Sequence, residues 1–224
     1  MSIQHNLKKY QEILKKYEAR LIAVSKTKPK VDLLQAYEIG QRDFGENKVQ
    51  ELADKAESLP KDIDWHMIGH LQRNKVKYIA PFIKLIHSVD SDRLLKEINK
   101  QALKNDRVID CLLQVYIAKE ETKFGFSEDE LKEYLLSDAF GELKNIRITG
   151  LMGMATNTSD EDQIRNEFKQ LKTISEQLKN ELSSEVITLT ELSMGMTSDY
   201  QIALEEGSTM VRIGSAIFGS RNYL

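Results

Sequence analysis

Leu21-Ile22-Ala23-Val24-Ser25-Lys26-Thr27-Lys28-Pro29 is the stretch on which the reading of the fold turns. Its apolar first half reads as a strand, and strand alternation places Ile22, Val24 and Lys26 on one face. The turn that follows is equally informative. A doubly wound open sheet that holds a dinucleotide carries a glycine-rich first βα turn. Here Ser25-Lys26-Thr27-Lys28-Pro29 contains no glycine. That disfavours the open sheet and leaves a closed barrel as the better expectation.

Seven further strand-like runs follow the first at 20–25: 42–45, 65–69, 85–89, 110–117, 146–152, 189–193 and 210–214. Amphipathic segments separate them. In 46–59 the apolar residues Val49, Leu52, Ala53, Ala56 and Leu59 recur at helical spacing. After Ser159 a helix is predicted to Leu182, with Ile164, Phe168, Leu171, Ile174, Leu178 and Leu182 as its stripe. Asp160, Glu161 and Asp162 lie in its first turn, where the helix dipole favours them. A shorter helix is predicted from Ser198 to Gly207, a residue suited to a left-handed C′ position. Ile3, Leu7, Tyr10, Leu14 and Tyr17 form one more stripe before the first strand. Strands alternating with helices are the mark of parallel βαβ units, and eight such units close into a barrel. The expected fold is therefore α/β, a (βα)8 TIM-type barrel with an extra N-terminal helix. Residues 1–224 form one domain in this reading, since barrels of this length hold a single core.

Composition narrows the function classes. The 32 basic residues nearly balance the 35 acidic ones, for a net charge of −3, so the basic excess of a nucleic-acid or anionic-membrane binder is missing. One cysteine, Cys111, permits no intrachain disulfide and no multi-cysteine metal site; it reads as a small buried hydrophobe in a reducing compartment. The N-terminal twenty residues lack the apolar core of a secretory signal. No run approaches the ~18 apolar residues of a membrane span. A cytoplasmic, monomeric protein is expected. The four histidines lack metal-binding spacing, and no metal is expected.

In barrels the functional groups lie where strands end and βα loops begin. Those ends place Lys26, Glu46-Asn47, residues 66–70, Ser88, 119–126, 152–155, 193–196 and 212–215 in view. A lysine at the rim of an apolar barrel is partly desolvated, which leaves more neutral amine to attack an aldehyde; a snorkelling surface lysine is the plain alternative. Ser193-Met194-Gly195-Met196-Thr197-Ser198-Asp199 and Gly214-Ser215-Ala216-Ile217-Phe218-Gly219 read together as a phosphate cup, at the loops after strands seven and eight. Separately each could be an ordinary turn. Arg212 is a charge inside the apolar run Met210-Val211-Arg212-Ile213-Gly214 and needs a partner. That partner is either a carboxylate at the barrel bottom or a ligand's ring nitrogen or acid group. His66 could line the cavity or be a core imidazole bonded to a backbone carbonyl. Met152, Met154, Met194 and Met196 read as fillers of irregular gaps near the barrel mouth.

The residues in combination resemble the pyridoxal phosphate homeostasis protein family. The resemblance is carried by the first stretch, by Phe44-Gly45-Glu46-Asn47-Lys48-Val49-Gln50-Glu51 and by Trp65-His66-Met67-Ile68-Gly69-His70-Leu71-Gln72-Arg73-Asn74-Lys75. Further along it is carried by Glu121-Thr122-Lys123-Phe124-Gly125-Phe126, Gly150-Leu151-Met152-Gly153-Met154-Ala155, Leu192 through Tyr200 and Val211 through Gly219. His70 and Thr156 depart from the family pattern at loop positions. The family is similar to the barrel domain of alanine racemase. The resemblance implies pyridoxal 5′-phosphate (PLP) held as a Schiff base on Lys26, with Asn47 near the cofactor. It implies that Ser193, Met194, Gly214 and Ser215 hold the phosphate, and that Arg212 faces the pyridine nitrogen.

An arginine at the ring nitrogen makes the ring a weaker electron sink than an acidic partner does. The chain also ends soon after the barrel, where racemases of this arrangement carry a second domain. No residue is therefore assigned a catalytic role. The expectation is a PLP carrier acting in vitamin B6 homeostasis and amino-acid balance, with apo PLP-dependent enzymes as candidate recipients. The alternative is a stand-alone PLP-dependent amino-acid racemase. A class I aldolase ranks third, since it needs neither the phosphate cup nor Arg212.

Overall fold

The computed structural model describes residues 2–119, 125–182 and 184–219. The strands are β1 (Arg20–Val24), β2 (Asp43–Glu46), β3 (Asp64–Met67), β4 (Leu85–Val89), β5 (Ile109–Gln114), β6 (Ile146–Met152), β7 (Ile187–Met196) and β8 (Met210–Ile213). They pair in sequence order, all parallel, and β8 closes on β1. Around them run α1 (Ile3–Lys15), α2 (Lys30–Glu38), α3 (Val49–Ser58), α4 (Val76–Ile79), α5 (Asp92–Lys104), α6 (Glu128–Leu135), α7 (Asp138–Gly141), α8 (Glu161–Leu182), α9 (Tyr200–Glu205) and α10 (Ser215–Phe218). This is a (βα)8 barrel with an N-terminal helix, as the alternation of the sequence predicts. Among the described residues no helix is long and apolar enough to cross a membrane. Residues 121–124 of the fourth family motif lie outside the described residues.

Helix α1 starts where Ser2 accepts the His5 amide hydrogen on its hydroxyl. It buries Leu7, Tyr10 and Leu14 beside α2 and α10, and Asn6 Nδ2 donates to the Ile217 carbonyl at 3.2 Å. The extra helix thus buttresses the seam where β8 meets β1. In α8 the predicted stripe of Ile164, Phe168, Leu171, Ile174 and Leu178 is buried. So is Glu167, whose carboxylate takes the Thr156 amide and hydroxyl hydrogens at 2.7 and 2.8 Å. Gly207 has the left-handed φ of +91° predicted for the residue that stops the preceding helix.

Several boundaries differ from the sequence reading. Strand β5 ends at Gln114, short of 117, because Val115 leaves the barrel to bridge Phe126. Helix α3 begins at Val49, not 46, because Glu46 still belongs to β2. Strand β7 runs past both ends of 189–193 and absorbs a register shift against β6, with Leu189 at φ +45°.

Period-two alternation carries each inward face from one barrel end to the other. Along β1, Arg20 lines a chamber at the N-terminal end, Ile22 lies in the interior, and Val24 and Lys26 line a cavity at the C-terminal end. Ile22 packs there with Leu85, Leu112, Met152 and Met210. A second, larger core fills the space between strands and helices; it includes Phe44, Trp65, Phe168 and Cys111. Cys111 is fully buried, and burial pushes its thiol far above the ordinary range.

Where β6 and β7 shift register, a side chain at Gly150 would collide with the Glu191 carbonyl and Cβ. Gly150→Ala should therefore lower the unfolding free energy by ~2 kcal/mol or more. Gly141→Ala, which meets nothing within 4 Å, should leave the urea midpoint unchanged or slightly raised. Equal midpoints for the two variants would show that the close approach imposes no constraint.

Candidate functional site

At the C-terminal ends of the strands lies a cavity of about 550 Å³, within the range of small-molecule sites. Lys26 and Lys28 reach it from β1, Asn47 from β2, Arg212, Gly214 and Ser215 from β8. Ile68, Met154 and Met196 supply apolar wall, with Thr197 and Ser198 beside them. Five of the residues expected to hold a cofactor thus converge: Lys26, Asn47, Arg212, Gly214 and Ser215. Ser193 and Met194 do not. Both are wholly buried, and the Ser193 hydroxyl is already bonded to Arg212 and His87. Strand β7 continues to Met196, so the loop presented to the cavity starts three residues later than the sequence reading placed it. The methionines divide likewise: Met152 and Met194 are core, whereas Met154 and Met196 are 43% and 36% exposed at the cavity.

The segment carrying Lys26 is held from behind. Thr27 has φ +63°, a costly conformation for a β-branched residue. Its amide donates to Glu51 Oε1 at 2.6 Å. Lys55, buried on α3, donates to Glu51 Oε1 at 2.7 Å, to Glu46 Oε1 at 2.7 Å and to the Ser25 carbonyl at 2.8 Å. Ser25 Oγ donates to Glu46 Oε1 at 2.6 Å. Both residues flanking Lys26 are thereby tied to one buried ammonium. Burial pushes the Glu46 carboxyl up, against the opposing charge and hydrogen bond of Lys55.

Arg212 is 4% exposed. Nη1 donates to the Ser193 carbonyl at 2.7 Å and to Ser193 Oγ at 2.6 Å, and Nη2 to the Gly153 carbonyl at 3.1 Å. It does not form the barrel-bottom ion pair considered as one reading of the sequence; it lies at the other end, on the cavity wall. Burial lowers its guanidinium to about 10, Asp199 working the other way. Asp199 Oδ1 takes the Met196 amide at 2.5 Å and so shapes the loop bearing Thr197 and Ser198. Gly195, at φ +92° and with Ala203 where a Cβ would go, is required there. His66 is a core imidazole, but its partners are Asp43 and His87, not a backbone carbonyl.

The profile of the family described as alanine racemase, N-terminal domain, matches residues 1–222. The pyridoxal phosphate homeostasis protein of Aquifex aeolicus (strain VF5) is 41% identical over 206 residues, 92% of this chain and 88% of that protein. The chain belongs to the pyridoxal phosphate homeostasis protein family. PipY of Synechococcus elongatus PCC7942, solved without PLP, superposes with a TM-score of 0.90 at 34% identity, covering 97% of this chain and 100% of that one. PipY solved with PLP bound covers the same shares with a TM-score of 0.86.

In this member of the pyridoxal phosphate homeostasis protein family, sequence reasoning overlooked Lys55, Glu51, His87 and Asp43. Lys55 is four residues from Glu51 on one helix face, a spacing that looks like a surface pair. Only the fold shows both packed against Ser25. His87 shares the period-two face of Leu85, which packs in the barrel interior, and was legible as an inward residue. Replacing Lys55 with Met leaves Glu46 buried without its cation, a loss of ~3–5 kcal/mol. The carboxyl, already raised in the folded state, should rise further. The folded protein then holds a proton that the unfolded chain releases, so stability should fall as pH rises from the ordinary 4.5 through the raised folded value. Urea unfolding of Lys55→Met across that window should show the decline; a pH-independent midpoint would contradict it.

Proposed function

We propose that this protein binds PLP in the C-terminal cavity, with the aldehyde carbon joined to Lys26 as a Schiff base, and that it stores or delivers the cofactor rather than consuming it. The observation carrying this reading is the convergence of Lys26 from the first strand with Arg212, Gly214 and Ser215 from the last on one cavity of cofactor size. The donor set fits the group. Asn47 Oδ1 is buried on the cavity wall with no hydrogen-bond partner, and burying such an atom is costly unless a ligand satisfies it. A Cβ at Gly214 would press on the Val24 carbonyl at 3.0 Å, so the backbone lies flush with the wall. The amides of Ser215 and Ala216, at the start of α10, have no intrahelical acceptor. With the hydroxyls of Ser215, Thr197 and Ser198 they are the groups we assign to the phosphate. Ser193 and Met194 are withdrawn from that role because both lie behind the wall.

PLP supplies a carbonyl that captures amines and a ring that withdraws electrons from the captured group. Arg212 is assigned to the ring nitrogen. A guanidinium lowered only to about 10 stays protonated at neutral pH and donates a hydrogen bond without giving up the proton. That leaves the ring a weak electron sink and supports the carrier reading over the racemase-like alternative, which the family profile keeps in view. We further assign the protein to intracellular vitamin B6 and amino-acid balance, acting as a cytoplasmic monomer with apo PLP-dependent enzymes as recipients.

Borohydride reduction of the PLP-loaded protein should fix a phosphopyridoxyl group on Lys26, and peptide mapping should find it there. An adduct on another lysine would remove the assignment. Steady-state racemisation should stay far below the ~10 s⁻¹ median of enzymes; turnover at that rate by wild type but not Lys26→Ala would establish the racemase-like alternative.

The phosphate assignment has its own check. Ser215→Ala should weaken PLP more than pyridoxal, because only PLP presents the dianion. Equal losses for the two vitamers would place the phosphate elsewhere.

A further inference from the structure

Inside the barrel lies a polar column that the cofactor reading leaves unused. Asp43 Oδ1 is 2.9 Å from His66 Nε2, His66 Nδ1 is 2.9 Å from His87 Nε2, and His87 Nδ1 is 2.8 Å from Ser193 Oγ. Arg212 Nη1 donates to that same Ser193 oxygen at 2.6 Å. His66, His87 and Ser193 are wholly buried, so each must be satisfied by its neighbours.

The two ends dictate the direction of every hydrogen between them. Arginine only donates, and an ionised aspartate only accepts. Burial opposes the Asp43 charge, yet the hydrogen bond from His66, with Arg20 and Lys84 nearby, keeps the carboxyl below its ordinary value. Asp43 therefore takes the Nε2 hydrogen of His66. A neutral His66 then has a bare Nδ1, which accepts the Nε2 hydrogen of His87. The bare Nδ1 of His87 accepts the Ser193 hydroxyl hydrogen, and the serine oxygen accepts from Arg212. Both rings are the Nε2–H tautomer, and all four bonds run from Arg212 to Asp43.

The Asp43 end approaches solvent on the side opposite the C-terminal cavity. Its side chain is 23% exposed, and His66 lines the chamber of about 350 Å³ at the N-terminal end of the barrel. The charges facing that chamber are largely paired. Arg20 of β1 meets Glu191 of β7 at 2.6 Å, Arg147 of β6 meets Asp110 of β5 at 2.8 Å, and Lys84, just before β4, lies 3.9 Å from Asp64 of β3. At the far end Arg212 faces the charge of Asp199. Burial, then His66, Arg212 and Arg20, hold His87 well below its ordinary value, so His87 stays neutral and keeps one accepting nitrogen for the serine hydroxyl.

We propose that Asp43, His66, His87 and Ser193 are positioning residues for Arg212, acting as one directed hydrogen-bond chain. The chain itself stands without the cofactor; its effect on ligand binding rests on the PLP reading.

Imidazole ¹⁵N NMR of the full-length, cofactor-free protein tests the chain directly, with His5→Gln and His70→Gln used to assign the other two rings. At neutral pH both His66 and His87 should show bare Nδ1 and protonated Nε2. A neutral-pH His87 protonated on Nδ1 would overturn the proposal. Asp43→Asn, whose amide can donate as well as accept, should leave the His87 tautomer mixed, whereas Asp110→Asn, in the same chamber but outside the chain, should not; equal changes would mean general electrostatics and no chain. PLP affinity followed by absorbance should fall several-fold in Ser193→Ala and be kept in Ser193→Thr and Asp110→Asn. Unchanged affinity in Ser193→Ala would overturn the positioning role. If PLP failed to bind at any pH, the cofactor reading would fall, and the NMR result alone would decide the chain.

Discussion

A guanidinium 4% exposed on the cavity wall of a barrel would cost several kcal/mol if left without acceptors, and much of the interior is arranged so that Arg212 is not. The Ser193 and Gly153 carbonyls and the Ser193 hydroxyl converge on it from the ends of β7 and β6. Committing Ser193 to the arginine fixes where β7 passes into its loop, and therefore which residues reach the cavity. It also calls in His87, then His66, then Asp43, because each newly buried polar group needs the next. Apolar packing of Ile22, Leu85, Leu112, Met152 and Met210 occupies the rest of the interior. The barrel thus has an oily side and a hydrogen-bonded side.

The two ends of the barrel are chemically unlike. At the N-terminal end, cations and carboxylates neutralise one another between β1 and β7 and between β6 and β5, an arrangement suited to stability. At the C-terminal end, Lys26 and Arg212 border an apolar wall and an orphaned Asn47 oxygen, an arrangement that leaves polar capacity for a ligand. This division follows the rule that barrels place chemistry at the C-terminal face of the strands.

Local signals were sufficient for the strands, for the stripe of α8 and for the inward alternation of Ile22, Val24 and Lys26. A period of two or of 3.6 is a property of consecutive residues and survives without the fold. That Lys26, Asn47, Arg212, Gly214 and Ser215 line one cavity was legible because strand ends in a barrel converge. Ser193 was misplaced by a matter of phase: β7 kinks at Leu189 and runs to Met196, and composition does not announce a register shift. Lys55 and Glu46 were illegible for a different reason. Their meaning lies in a contact between a helix and the turn before it, and nothing in a Lys or Glu codon says whether that side will face water.

Cys111, the only cysteine in the chain, bears on selectivity once a bound carbonyl is considered. Thiolates add readily to aldehydes and compete with amines for them. Here the sulfur is sealed on β5, its thiol raised by burial and by the charge of Asp110, and the nucleophilic form is suppressed. An electrophile entering the cavity meets nitrogen and oxygen nucleophiles but no reactive sulfur from this chain. The chemoselectivity of such a cavity would rest as much on where the one thiol is hidden as on where Lys26 is placed.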